Sequence, residues 1–153
     1  MADTVGLDLE ELDALARFGA RARVLPARWL GAAERSWCGR QPEPLRAFVV
    51  VWSCREAAFK AAGVGGSPHG LRLRLSGTIA RGRARACRAR RVVAEVAWRR
   101  RGRYVVAVAV GGGIGSRMLA RRLVSLIAEE DLDADSGHGR HGIYRHGPGA
   151  AAS

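Results

Sequence analysis

The chain contains no asparagine and a single lysine, Lys60, beside 25 arginines. Such a bias usually tracks a genome rich in G and C rather than a function. It nevertheless makes the lone lysine conspicuous. Either Lys60 is chance, or it stands where arginine will not serve, because the two cations differ in shape, hydration and readiness to shift pKa. Cysteine is scarce too: Cys38, Cys54 and Cys87 are an odd number with no Cys-x-x-Cys pair. That argues against a disulfide scaffold or a zinc site and favours a reducing, cytoplasmic setting. No window approaches ~18 consecutive apolar residues, so a membrane-spanning helix is excluded. Residues 1–13 are acidic and lack the charged-then-apolar pattern of an export signal, so export is not expected.

What is present fits one domain with a tail. The length is 153 residues and 48% of them are hydrophobic, enough for a packed core. The formal net charge is +12, and it is unevenly placed. Asp3, Asp8, Glu10, Glu11 and Asp13 crowd the start; Glu129, Glu130, Asp131, Asp133 and Asp135 crowd the end. Between them only Glu34, Glu43, Glu56 and Glu95 face 24 basic residues. A basic body of this kind attracts polyanions: nucleic acid, a phosphorylated small molecule or an acidic protein.

Periodicity predicts a short strand over 4–9, with Val5, Leu7 and Leu9 on one face. A helix is predicted from Pro26 to about Gly39, striped by Trp29, Leu30, Ala33 and Trp37. A second, stronger helix runs from Pro44 to Ala62 and is closed by Gly63. The period then changes. Leu71, Leu73 and Leu75 alternate with arginines, as do Arg81, Arg83 and Arg85 with small residues. Val92–Trp98 and Tyr104–Val110 flank a hairpin turn at 99–103. Residues 116–130 read as an amphipathic helix with Leu119, Leu123, Leu126 and Ile127 on one side. The fold class is therefore α+β, an antiparallel sheet packed against a long central helix. The expected division is a domain over 1–113, a helix over 114–133 and a disordered tail over 134–153.

Two places concentrate chemistry. Trp52, Glu56 and Lys60 are spaced i, i+4, i+8 and share one face of the central helix. Glu56 and Lys60 are either a surface ion pair or part of a site. Asp8 and Glu10 point to one face of the first strand, where two carboxylates repel unless a cation lies between them. They are either a solvated acidic edge or a hard-metal site, since Mg2+ takes oxygen ligands and keeps places for water and substrate phosphate. Glu56 is the natural third carboxylate.

Gly6-Leu7-Asp8-Leu9-Glu10, followed some forty-five residues later by Trp52-Ser53-Cys54-Arg55-Glu56-Ala57-Ala58-Phe59-Lys60-Ala61, resembles the 4′-phosphopantetheinyl transferase superfamily. The resemblance covers roughly residues 4–110. It is nearest the second lobe of the two-lobed members, or a single-lobe chain like holo-acyl-carrier-protein synthase. It implies a 4′-phosphopantetheinyl transferase lobe with Asp8, Glu10 and Glu56 as Mg2+ ligands and Lys60 on a coenzyme A phosphate; the hydroxyl then needs a base, and Glu56 or a metal-bound water beside it can serve. The implied reaction moves phosphopantetheine from coenzyme A to a serine of an apo acyl or peptidyl carrier protein of fatty-acid, polyketide or peptide synthesis. The implied partners are an acidic carrier protein and either further copies of the chain or a complementary lobe. Where the family often has lysine directly before the glutamate, this chain has Arg55. Two other readings remain: a non-catalytic or partner-dependent homologue, and a basic RNA-binding module built on the arginine strands at 72–91.

Other signals are weaker. Gly111-Gly112-Gly113-Ile114-Gly115-Ser116 lacks the lysine ending of a phosphate loop and reads as a joint. His138, His141 and His146 are either a weak transition-metal site or incidental, and in a Gly-rich tail they read as incidental. Cys54 has no adjacent histidine to activate it and reads as a packed small residue.

Overall fold

The computed structural model describes residues 4–18, 24, 28–63, 65–112 and 116–129. Five strands, β1 (Thr4–Glu11), β2 (Arg72–Gly77), β3 (Arg81–Arg88), β4 (Arg91–Arg101) and β5 (Tyr104–Gly111), form one antiparallel sheet in the order β1-β5-β4-β3-β2. Strands β2 to β5 are a meander; β1 adds to its end by pairing with β5, Leu7 opposite Val108. Among the described residues, three α-helices of eight residues or more accompany them: α1 (Ala32–Gly39), α2 (Pro44–Ala62) and α3 (Ser116–Glu129). The α+β class and the long helix on an antiparallel sheet are as the sequence implied.

Helix α2 lies on the inner face of the sheet, against β1, β5 and β4. The reason is legible in the small residues on both sides. Ala57, Ala58 and Ala61 of α2 meet Gly6, Ala107, Ala109 and Gly111, and all the alanines among them are buried. A Cβ at Gly6 would collide with the backbone of Ala57 and Ala61, and one at Gly111 with the carbonyl of Ala61. Thr4 adds a hydrogen bond from its Oγ1 to the Ala61 carbonyl. The helix therefore rests its backbone on β1, and this brings the last two turns of α2 over the acidic strand. It starts at Pro44, where the missing N–H costs nothing, and stops at Gly63, whose φ of 58° suits a left-handed end.

The core under α2 includes Trp37, Phe48, Val50, Leu71, Leu73, Val96, Trp98 and Val105. Burying each such large side chain contributes roughly 1.5–3 kcal/mol. Trp37 and Trp98 meet edge to face at 5.7 Å between ring centroids. Both indole N–H groups are satisfied, by the carbonyls of Gly77 and Thr78.

Helix α3 covers the outer face, over β4 and β5. Its buried residues are Ala120 and Val124, with Leu123 beside them, packed on Ala97, Val106, Val108 and Val110. This corrects part of the expected stripe: Leu123 packs as expected, but Leu119 and Leu126 are exposed, because the helix seats Ala120 and Val124 on the sheet. Ile127 and the tail from residue 130 lie outside the described side chains, as do His138, His141 and His146. Among the described residues, no helix is long and apolar enough to cross a membrane.

Three boundaries also differ from expectation. Arg28 and Trp29 are helical, but the run is broken at Leu30 and the extended Gly31, whose N–H donates to Glu34 at 2.6 Å, and α1 begins at Ala32; Pro26 lies outside the described residues. β1 continues to Glu11. The β4–β5 turn is only Gly102-Arg103, Gly102 having φ 55°, so the arginines at 99–101 belong to the strand. At the β3–β4 turn Ala89 and Arg90 both take positive φ, 47° and 70°. Such turns favour Asn-Gly.

Candidate functional site

The three carboxylates singled out by the sequence converge where β1 passes under the C-terminal half of α2. Asp8 and Glu10 project from alternate positions of β1 toward the helix, and Glu56 descends from it. Each is within electrostatic reach of another. Burial raises the Glu10 pKa above the usual carboxylate range, and Asp8 and Glu56 push it further. Burial also raises that of Glu56, with Asp8 adding to it. Lys60 opposes both shifts, and His69 opposes the one at Glu56.

Lys60 does not pair with Glu56. Its ammonium donates to Asp8 Oδ1 at 2.7 Å and to the Leu7 carbonyl at 3.0 Å. The side chains differ sharply in exposure, 48% for Lys60 and 10% for Asp8. The second carboxylate oxygen, Asp8 Oδ2, is buried with no hydrogen-bond partner. Among the described residues, no group of three or more His, Cys, Asp or Glu side chains is arranged as a ready metal site. Asp8, Glu10 and Glu56 nonetheless fit a divalent cation chemically. They are all hard oxygen donors, one holds an orphaned buried oxygen, and together they carry more negative charge than Lys60 offsets.

Arg55, next to Glu56, has a separate task. It is 1% exposed and holds the equally buried Glu34 through both ends of its fork, Nε to Oε1 at 3.1 Å and Nη2 to Oε2 at 2.5 Å. Its Nη1 donates to the Trp29 carbonyl at 2.8 Å. Glu34 also accepts from the backbone N–H of Leu73, at 2.9 Å. This network ties α1, α2 and β2 together directly behind Glu56. Arg55 is thus committed to the interior. The sequence reading missed Glu34. The available signal was its rarity: one of four acids in a basic body, three residues after a helix-starting glycine.

His69 was also passed over. It follows the glycine-rich 63–66 segment and packs on Trp29, 4.1 Å between centroids, and near Trp52 at 5.4 Å. Trp29 and Trp52 meet edge to face at 5.6 Å. The stack stands beside Glu56 and divides two clefts. One, of about 440 Å³, is bordered by Arg28, Trp29, His69 and Arg72. The other, of about 300 Å³, is mostly apolar and runs from Glu10 along Phe18, Trp29, Phe48 and Trp52. Cys54, by contrast, is fully buried, and burial drives its thiol far above the ordinary range. It is a packing residue.

The family model of the 4′-phosphopantetheinyl transferase superfamily matches residues 4–109. Among solved structures the chain is similar to the Thermotoga maritima holo-[acyl-carrier-protein] synthase. The identity is 21%, the match covers 72% of this chain and 64% of that one, and the TM-score is 0.53. That likeness is one of fold, and the match spans less than two thirds of the relative's length. No curated protein matches.

Proposed function

The chain belongs to the 4′-phosphopantetheinyl transferase superfamily, and from that premise we propose that it transfers the 4′-phosphopantetheine group of coenzyme A to a serine of an apo carrier protein, with Mg2+ required. The observation that carries this reading is the meeting of Asp8, Glu10, Glu56 and Lys60 at the β1–α2 crossing, with Asp8 Oδ2 buried and unpartnered. In the reaction a bond forms between the serine oxygen and the β-phosphorus of coenzyme A. The bond to the departing 3′,5′-adenosine diphosphate breaks, and the serine proton must be accepted.

Asp8, Glu10 and Glu56 would hold Mg2+, which when bound supplies positive charge against the pyrophosphate oxygens. Glu56, or a water beside it, would take the serine proton. Lys60, the most exposed member of the group, can turn its ammonium to a phosphate oxygen and offset charge there. Arg28 and Arg72 give the cleft beside His69 the charge to receive a phosphorylated nucleoside. The apolar cleft along Phe18 and Trp52 suits a pantetheine arm. The basic surface is complementary to an acidic carrier protein of fatty-acid, polyketide or peptide synthesis.

The test is direct. Purified chain, coenzyme A and Mg2+ are incubated with an apo acyl carrier protein, which should gain the mass of phosphopantetheine. No gain at any protein concentration, with a two-lobed transferase as positive control, refutes the reading. A gain that appears only where sedimentation shows an oligomer supports the homo-oligomeric form of it. Salt-sensitive retardation of RNA without any mass gain returns the protein to the nucleic-acid class.

A further inference from the structure

The only lysine of the chain stands on Asp8, a place where any of 25 arginines would have supplied the same charge. Taking the divalent-cation reading above as premise, we propose that Lys60 is the resident counter-ion of Asp8, and that it must leave this carboxylate when a divalent cation is held there. Cation binding and the release of Lys60 toward an anionic substrate are then one exchange.

Four observations converge on this. Lys60 Nζ occupies Asp8 Oδ1 at 2.7 Å and is steadied by the Leu7 carbonyl at 3.0 Å. The carboxylate is nine-tenths buried on a strand, whereas the lysine is half exposed at the end of a flexible stem. The carboxylate therefore stays and the ammonium can swing. Asp8 Oδ2 remains buried without a partner, so the lysine satisfies only one end of the carboxylate. Finally, Glu10 and Glu56 lie within electrostatic reach of Asp8 and of Lys60, so the ammonium on Asp8 is felt by all three carboxylates. Lys60 is the cation that touches the group, with Arg17 acting on Glu10 and His69 on Glu56 from further away, and a divalent cation would bring its charge directly onto the carboxylate oxygens.

The exchange also gives a physical reason for lysine. An ammonium is a point charge that contacts one oxygen and lets go readily. A guanidinium is a planar fork that grips both oxygens of a carboxylate. Arginine at position 60 could reach Oδ2 as well as Oδ1 and hold the site closed. A lysine can step aside.

The experiment is Mn2+ titration of the full chain without coenzyme A at low ionic strength, with free Mn2+ read by electron paramagnetic resonance. The proteins are wild type, Lys60→Met, Lys60→Arg and, as control, Asp8→Asn. Lys60→Met should bind Mn2+ about tenfold more tightly than wild type, because a competing cation is gone, and Lys60→Arg about tenfold more weakly. Asp8→Asn should lose most binding. A merely structural lysine would give two variants weakened alike, or no change, and either result overturns the exchange while leaving the cation site standing. If neither wild type nor Lys60→Met binds Mn2+, the three-carboxylate reading itself falls and takes the exchange with it. Should Lys60→Met not fold, Lys60→Gln keeps a hydrogen-bond donor on Asp8, and its tighter or unchanged binding decides in the same way.

Discussion

Removing the carboxylate of Glu34 should be among the most damaging single changes in this protein. Glu34 is 1% exposed and accepts four hydrogen bonds, from Arg55 Nε and Nη2 and from the backbone N–H groups of Leu73 and Gly31. In Glu34→Ala the guanidinium keeps only the Trp29 carbonyl. A buried pair broken on one side costs about 3–5 kcal/mol, mainly the uncompensated charge. The Leu73 N–H, left without an acceptor, adds ~1 kcal/mol or more. A loss of about 4 kcal/mol or more is a large part of the 5–15 kcal/mol that typically holds such a domain. The double variant Glu34→Met, Arg55→Met removes both charges and fills similar volume. Its stability should return to within about 2 kcal/mol of wild type, because the desolvation cost disappears with the charges. Urea unfolding followed by tryptophan fluorescence measures both, Trp29 being in contact with Arg55. The reasoning is refuted if Glu34→Ala costs less than ~1.5 kcal/mol, or if the double variant is as unstable as the single.

Three further outcomes are expected. Gly6→Ala should unfold the protein or sharply lower its melting temperature, since the added Cβ meets the backbone of α2 rather than a movable side chain; calorimetry against the exposed control Gly39→Ala tests this. Glu10→Gln and Glu56→Gln should raise the melting temperature at neutral pH. Both acids have folded pKa values above their unfolded ones, so their contribution to stability falls as pH rises through that window, and the gain should vanish below pH ~4 where both are protonated in either form. Lys60→Arg should fold normally but transfer phosphopantetheine at least tenfold more slowly, on the scale of a lost transition-state contact; near-wild-type turnover would remove the shape of Lys60 from the mechanism.

The elements were largely written in the chain because their signals are local. Pro44 and Gly63 bound α2, alternation of Leu71, Leu73 and Leu75 marks β2, and two β-rich runs about a short turn make β4 and β5. The candidate site was legible to the same degree. Period two put Asp8 and Glu10 on one face, period 3.6 put Glu56 and Lys60 on another, and each pattern depends only on near neighbours. What no periodicity states is which face meets which. Gly6 and Ala61 let two backbones touch, and in that arrangement Lys60 stands on Asp8 instead of Glu56. The buried partnership of Glu34 with Arg55 spans 21 residues, and the stacking of His69 on Trp29 spans 40. The hydrophobic stripe of α3 held only in part for a related reason: the sheet accepts Ala120 and Val124 closely with Leu123 beside them, while Leu119 and Leu126 turn to solvent. Sequence determined the elements and the donor atoms because backbone preference and side-chain period are local. Tertiary structure decided their pairing, because close packing and the cost of an unpaired buried charge act between segments that are distant along the chain.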